Sequence, residues 1–301
     1  VAADTLIGLP EMEQMALVPQ RVYQIEGEIE SLYHSHFAIQ RRDQKLALQR
    51  KIKDLRKELG TLLAESLMAP KKAQHVADWD PFDPQASSDF FDPHWMFGRS
   101  LAEGFDIVFG NPPYAGFRDM DPKLKARIKQ VYATAQGKFD LYVPFIERGS
   151  QLLAQGGVLS FIMPTGFAKR DYGEDIRQFL IHNHQIDLHV DFGHEQIFDA
   201  ATNYTGILQL RKTRPKVNHL FEFKYGGFES ESLLIPQSNL TKDPWILLAP
   251  KDQAILDHLV RGNTSLGKIA IISEGVVTGL NDLYLVASSD QAARSSIFKP
   301  C

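Results

Sequence analysis

One cysteine occurs in 301 residues, and it is the last of them, Cys301. An intrachain disulfide and a tetrahedral thiolate metal site both need more thiols than that, so both are excluded, and the usage suits a reducing cytoplasm. Long apolar runs are missing too. No stretch approaches the ~20 residues needed to cross a bilayer, and the opening VAADTLIG lacks the pattern of a secretory signal. Charge of one sign is not in excess: the net charge is −4, which by itself points to no polyanionic partner. Repeats and low-complexity tracts are absent. A 44% hydrophobic share beside 23% charged residues is ordinary for a globular chain, so disorder is not the expectation.

The charge that is present is unevenly spread. RRDQKLALQRKIKDLRK, residues 41 to 57, holds eight Lys/Arg and two Asp, so it contributes +6 and leaves about −10 for the rest. The same stretch lies in a segment, Val22 to Met68, without proline or turn clusters. Ile25, Ile29 and Leu32, then Leu48, Ile52, Leu55, Leu59 and Leu62, recur at spacings of four and three, the seam of a coiled coil or long helical hairpin. This predicts a helical arm over residues 21–69. Its basic face reads either as a solvated exterior or as a stripe that lies along DNA.

Residues 70 to 104 mix Pro, Asp, Ser and aromatics without a period and read as an ordered connecting loop. Thereafter strand and helix alternate. FDIVFG (105 to 110) is a buried-looking strand, Leu124 to Tyr132 and Leu141 to Gln155 are helical, and GGVLSFIMP (156 to 164) is a turn and a buried strand. Asp175 to His182 is a helix, Ile186 to Phe192 a strand, and YTGILQLR (204 to 211) a last strand. The succession predicts an α/β fold with a mostly parallel sheet covered by helices. Beyond Lys212, VNHLFEFKYGGFESESLLI reads as hairpin material and KDQAILDHLV as a short helix, so a domain boundary is expected near 215 to 245.

Directly after the strand 105 to 110 come Asn111, Pro112, Pro113 and Tyr114. Two prolines cannot donate backbone hydrogen bonds, and each biases the residue before it away from the helical region, so the loop is rigid and extended. In parallel sheets ligands sit at this end of the strands. The chemistry such a loop suits is attack by an exocyclic amine on a heteroaromatic base, a poor nucleophile because its lone pair is delocalised into the ring. Two oxygens that accept both N–H bonds draw the nitrogen toward tetrahedral geometry and free the pair. The Asn111 side-chain oxygen and the Pro112 carbonyl are placed for this, and Tyr114 offers a face for a flat base. Asn-Pro-Pro is also a good strand-terminating turn.

Three stretches in order, FDIVFGNPPY, GKFDLYVPFIERGSQLLAQGGVLSFIMP and FGHEQIFDAATNYTGILQLRK, resemble the amino-methyltransferases that modify adenine N6 in DNA. Within that family the chain is most similar to the large enzymes of combined restriction-modification systems, closely over residues 95 to 213. The resemblance implies methyl transfer from S-adenosylmethionine to the N6 amine of an adenine flipped out of duplex DNA. Asn111 and Pro112 would bind the amine within the loop completed by Pro113, Tyr114 would stack on the base, and Phe198 would be the second aromatic wall. Asp140, in GKFDLY, is expected as a helix cap or loop brace. AADTLIG resembles the end of the family's cofactor-binding half, which would make Asp4 a contact to the cofactor's adenine ring. GVVTGLNDLYLV (275 to 286) resembles the start of a target-recognition domain.

The expected organisation is therefore 1–20 as the end of a cofactor-binding half, 21–69 the arm, 70–215 the catalytic region, and 216–301 a connector and the start of target recognition. The fold class is an incomplete Rossmann-like methyltransferase sheet. The sequence departs from the family in one respect: its cofactor loop has the form Phe-x-Gly-x-Gly, and Gly-x-Gly occurs nowhere here. With a start other than Met and an abrupt finish, the chain is expected to be a piece of a longer enzyme, inactive alone and dependent on the missing amino-terminal half and a carboxy-terminal recognition domain. Three other readings stay open: methylation of an RNA base, methylation of a protein glutamine, and a non-catalytic DNA-specificity subunit. No nuclease carboxylate-lysine cluster is identifiable.

Overall fold

The alternating apolar spacing of the amino-terminal third becomes a helical hairpin, α1 (Gln20–Ala38) and α2 (Arg42–Ser66). Ile25 and Ile29 face Ile52, Leu55, Leu59 and Leu63, all buried. Each such side chain contributes about 1.5–3 kcal/mol when fully removed from water. Against them packs α3 (Pro70–Asp78), in a stretch where the sequence predicts only loop. Pro70 is preorganised for the first helical turn, and Ala73 and Val76, one turn apart, are buried. Gly60 allows the approach, since a Cβ there would lie 2.5 Å from that of Ala77.

Arg56, counted by the sequence among the exterior cations, is 2% exposed. Its guanidinium donates to the carbonyls of Trp79 (3.0 Å) and Trp95 (3.1 Å) and lies 4.5 Å over the Trp79 ring. It thereby ties α2 to the connection that follows. Arg42, Arg50, Lys51, Lys53 and Lys57 do face solvent. That connection contains strand β2 (Ser87–Ser88), paired in parallel with β1 (Ala2–Ala3). Next comes α4 (Pro93–Phe97), capped by Asp92, whose carboxylate accepts from Trp95 N at 3.1 Å.

The remaining elements of the first unit are β3 (Phe105–Gly110), α5 (Pro122–Val131), α6 (Tyr142–Leu152), β4 (Leu153–Pro164), α7 (Gly166–Lys169), α8 (Glu174–Asn183), β5 (Gln185–Asp191), β6 (Thr205–Arg211), β7 (Leu220–Tyr225) and β8 (Leu233–Pro236). The six longer strands form one sheet in the order β3-β4-β6-β5-β7-β8. It is mixed rather than mostly parallel. β3 with β4 and β5 with β7 are parallel, whereas β6 is antiparallel to both β4 and β5, and β8 to β7. A parallel neighbour needs a crossover connection. β6 instead inserts between β4 and β5 and runs back against both.

Two further differences follow from that order. The 204–211 strand is not the last: β7 and β8, the hairpin expected in a connector, extend the same sheet, and the compact unit runs to Leu247. β3, expected to be buried, is the sheet edge among the described residues. Ile107 and Phe109 are 65% and 81% exposed, an apolar strand face of the kind folded chains ordinarily cover. The core lies where α5, α6 and α8 meet the sheet, around Phe139, Tyr142, Ile146, Leu159, Phe167, Leu180 and Leu208.

The structure describes residues 2–8, 19–66, 69–83, 87–198, 204–248, 250–264 and 266–271. Leu248–Cys301 forms a second unit. Its described part contains α9 (Pro250–Val260), the helix expected there, and α10 (Leu266–Ile269). The stretch 275 to 286 and Cys301 lie outside the described residues. No described helix is long and apolar enough to cross a membrane.

Candidate active site

Because β3, β4, β5 and β7 run the same way, their carboxyl ends share one edge of the sheet. That edge brings together residues 111–114, the segment after Pro164, the end of β5 at Asp191 and, from β6, Tyr204 and Thr205 at its amino end. Asn111 is exposed, Pro112 buried, Pro113 exposed and Tyr114 half-buried. The loop is tied down just behind its aromatic residue, where Leu141 N donates to Ala115 O at 2.9 Å. Burial pushes the Tyr114 phenol up in pKa, against a hydrogen bond with Thr205.

A cavity of about 450 Å³ opens beside the loop. Its walls include Tyr114, Gly116, Asp119, Asp140, Pro164 and Thr165, then Gly166, Lys169, Arg170, Tyr172 and Tyr204. Phe198 is brought to Tyr114 as well, but edge to face, with ring centroids 6.3 Å apart and planes at 73°. Two rings that sandwich a third need two van der Waals gaps, ~7–8 Å in all. A base could enter between them only if Phe198 turned and withdrew by about an ångström.

Asp140 is a brace and not a cap. α6 begins without a side-chain cap, and the Asp140 carboxylate accepts from the Tyr172 hydroxyl (2.8 Å), which is itself 2.8 Å from the Tyr142 hydroxyl. Burial holds both phenols well above their ordinary range, so they stay protonated. The buried Asp191 carboxylate is met by Lys169 Nζ at 2.5 Å and Gly193 N at 2.9 Å. Thr165, Lys169, Arg170, Tyr172 and Tyr204 were not singled out from the sequence. The one signal available was that residues 165–172 follow the end of an expected strand, 156 to 164.

Asp4 is elsewhere. It is exposed, does not line the cavity, and its carboxylate accepts from Leu6 N at 3.2 Å. The turn it heads is held to the helices by the Tyr132 hydroxyl, which donates to Leu6 O at 2.6 Å, and by Arg148 Nε, which donates to Thr5 O at 2.9 Å. One exposed carboxylate without a glycine loop does not make a pocket for S-adenosylmethionine, so the described residues do not fit that cofactor. Among them no cluster of metal-ligating side chains occurs.

A rigid loop at the carboxyl edge of an α/β sheet, beside an aromatic-walled cavity, lies where ligands bind in open sheets of this kind. The chain belongs to the Eco57I restriction-modification methylase family, whose profile matches residues 26–198. It is 32% identical over 194 residues to the type II restriction enzyme and methyltransferase RM.Eco57I of Escherichia coli, covering 60% of this chain and 19% of that protein. It is 32% identical over 222 residues to the type II methyltransferase M.BstVI of Geobacillus stearothermophilus, covering 64% and 39%. With M.PaeR7I of Pseudomonas aeruginosa the figures are 36% over 201 residues, 60% and 35%. The chain thus spans about a fifth to two fifths of these relatives. Among solved structures it is similar to the type IIL restriction-modification enzyme MmeI in complex with DNA, at 14% identity and a TM-score of 0.36, covering 63% of this chain and 24% of that one.

Proposed function

We propose that this chain supplies the amine-binding side of an S-adenosylmethionine-dependent DNA methyltransferase that acts on adenine N6 within a restriction-modification enzyme. The observation that carries the reading is the Asn111–Tyr114 loop, fixed by two prolines at the carboxyl end of β3 with Tyr114 on the wall of a cavity. The relatives' activity, methylation in type II restriction-modification systems, supports it.

In this reading Asn111 Oδ1 and the Pro112 carbonyl accept the two N–H bonds of the target amine and stabilise the positive charge that develops on nitrogen as the methyl group arrives. The proton leaves afterwards, so no general base has to act first. Tyr114 stacks on the base, and Phe198 closes on its other face after turning. Base flipping costs a few kcal/mol, and two stacking rings at about 1–3 kcal/mol each offset it. S-adenosylmethionine would supply the methyl group, and Asp4 would offer it at most one acceptor.

The test is transfer of a labelled methyl group to duplex DNA by the full-length protein and its Asn111→Ala variant. Removing a preorganised polar group aimed at developing charge costs about 10²–10³ in turnover. The variant is expected to lose at least that while DNA affinity changes little. A variant that keeps more than half its rate would sink the mechanism.

A further inference from the structure

Between β4 and α8 the chain forms a strap, residues 165–173, that shares the cavity wall with Tyr114. It is held from behind by Arg177, 1% exposed, whose guanidinium donates to the carbonyls of Phe167 (2.6 Å), Arg170 (2.7 Å) and Lys242 (2.7 Å). Trp245 N donates to Ala168 O at 2.7 Å and Thr165 N to Tyr204 O at 2.9 Å. At the far end Tyr172 is bonded to Asp140 and Tyr142. Gly173 packs so tightly that a Cβ there would stand 1.9 Å from the Phe167 carbonyl oxygen. A segment tied at this many points keeps its shape when something enters the cavity.

This strap presents two consecutive cations, Lys169 and Arg170, to the cavity. They are not equivalent. Lys169 leans toward the end of β5, where its charge is engaged by the buried Asp191. Arg170 is exposed and has no ion pair among the described residues. Also on the cavity wall, the Asp140 carboxylate lies beside Gly116, and Asp119 lies there too. The cavity wall therefore carries a guanidinium without an ion pair on the strap, the carboxylates of Asp119 and Asp140, and the rings of Tyr114 and Tyr204. A nucleotide carries the matching distribution: an anionic phosphate, a flat ring, and an edge bearing amine hydrogens.

We propose that Arg170 is a phosphate clamp, binding the DNA backbone phosphate next to the nucleotide whose base Tyr114 receives. The proposal rests on the amine-methylation reading above. A base leaves the duplex by rotation about its own backbone, so a fixed phosphate fixes the pivot and the distance from pivot to Asn111. The planar guanidinium fork suits two phosphate oxygens at once, and such contacts set register without reading sequence.

The experiment is equilibrium binding of the full-length protein to duplex DNA carrying the sequence it methylates, between 50 and 200 mM salt, for wild type, Arg170→Gln and Arg170→Lys. One phosphate contact contributes about 0.9 to the slope of log affinity against log salt, so this fourfold rise in salt should cost Arg170→Gln about 3.5-fold less affinity than it costs wild type. Arg170→Lys should restore the slope. A merely structural role would weaken binding and leave the slope alone. Lys169 is left intact, because its removal would strand a buried carboxylate. Equal slopes in all three proteins overturn the clamp, and if the protein still methylates duplex DNA the amine reading survives. A full-length protein that methylates no DNA removes both.

Discussion

Acidification should loosen the sheet, because two histidines buried against it stay neutral in the fold at pH values where the unfolded chain would protonate them. His189 in β5 is 1% exposed, stacked on Phe223 with centroids 5.6 Å apart, and burial pulls its pKa down to about 4 despite the nearby Asp191. His184, 2.5 Å from Ser150 Oγ, is likewise lowered to about 4 by burial. In the unfolded chain both return to about 6.5. Unfolding below that value therefore takes up protons, so stability is full above pH 6.5 and falls as pH drops toward 4. Between pH 7 and pH 5 each histidine costs the fold about 2 kcal/mol and the pair about 4 kcal/mol as an upper bound. Against a typical 5–15 kcal/mol in all, that is easily seen. The assay is amide hydrogen exchange resolved to β5 and β6 at the two pH values, for wild type and His189→Phe, which keeps an aromatic ring against Phe223 and removes one titration. The variant should show about half the pH-dependent loss. An unchanged loss would refute the assignment of half the effect to His189.

Gly60→Val should destabilise the helical hairpin by about 1–3 kcal/mol, because a side chain at that position meets Ala77 and the helices must part. Exchange in α2 and α3 should quicken while β5 and β6 stay protected, and equal loosening of both regions would contradict two separate cores. On the proposed stacking role, Phe198→Ala in the full-length protein should lose about 5- to 150-fold in methyl transfer, the equivalent of one base stack at about 1–3 kcal/mol. Phe198→Tyr should retain most of it, and an alanine variant with wild-type rate would show that the ring only covers Tyr114.

What the sequence made legible was local. Two prolines after an apolar run dictate a rigid loop at a strand end, and the structure has Asn111–Tyr114 there because nothing distant is needed to form it. The apolar spacing from Ile25 to Leu59 likewise produced the expected hairpin, since helix faces are written within a few residues. What depended on distant partners was not legible. β3 is apolar enough to be central, yet its neighbours in the sheet put it at the edge with Phe109 in solvent. β7 and β8 read as a separate hairpin because the contact that makes them part of the sheet is with β5, about thirty residues earlier. Arg56 looks like one cation in a basic run until two tryptophan carbonyls, 23 and 39 residues away, take up its donors. The strap 165–173 escaped notice for the same reason, since its shape comes from Arg177, Trp245 and Asp140, and no periodicity encodes it.

The most direct test of the central claim is to let the full-length protein transfer labelled methyl groups to duplex DNA, digest the product to nucleosides and identify the labelled one. The account predicts N6-methyladenine in DNA, with the label lost in Asn111→Ala. Label on another base, on RNA competitor or on a protein glutamine, with duplex adenine untouched, would contradict it.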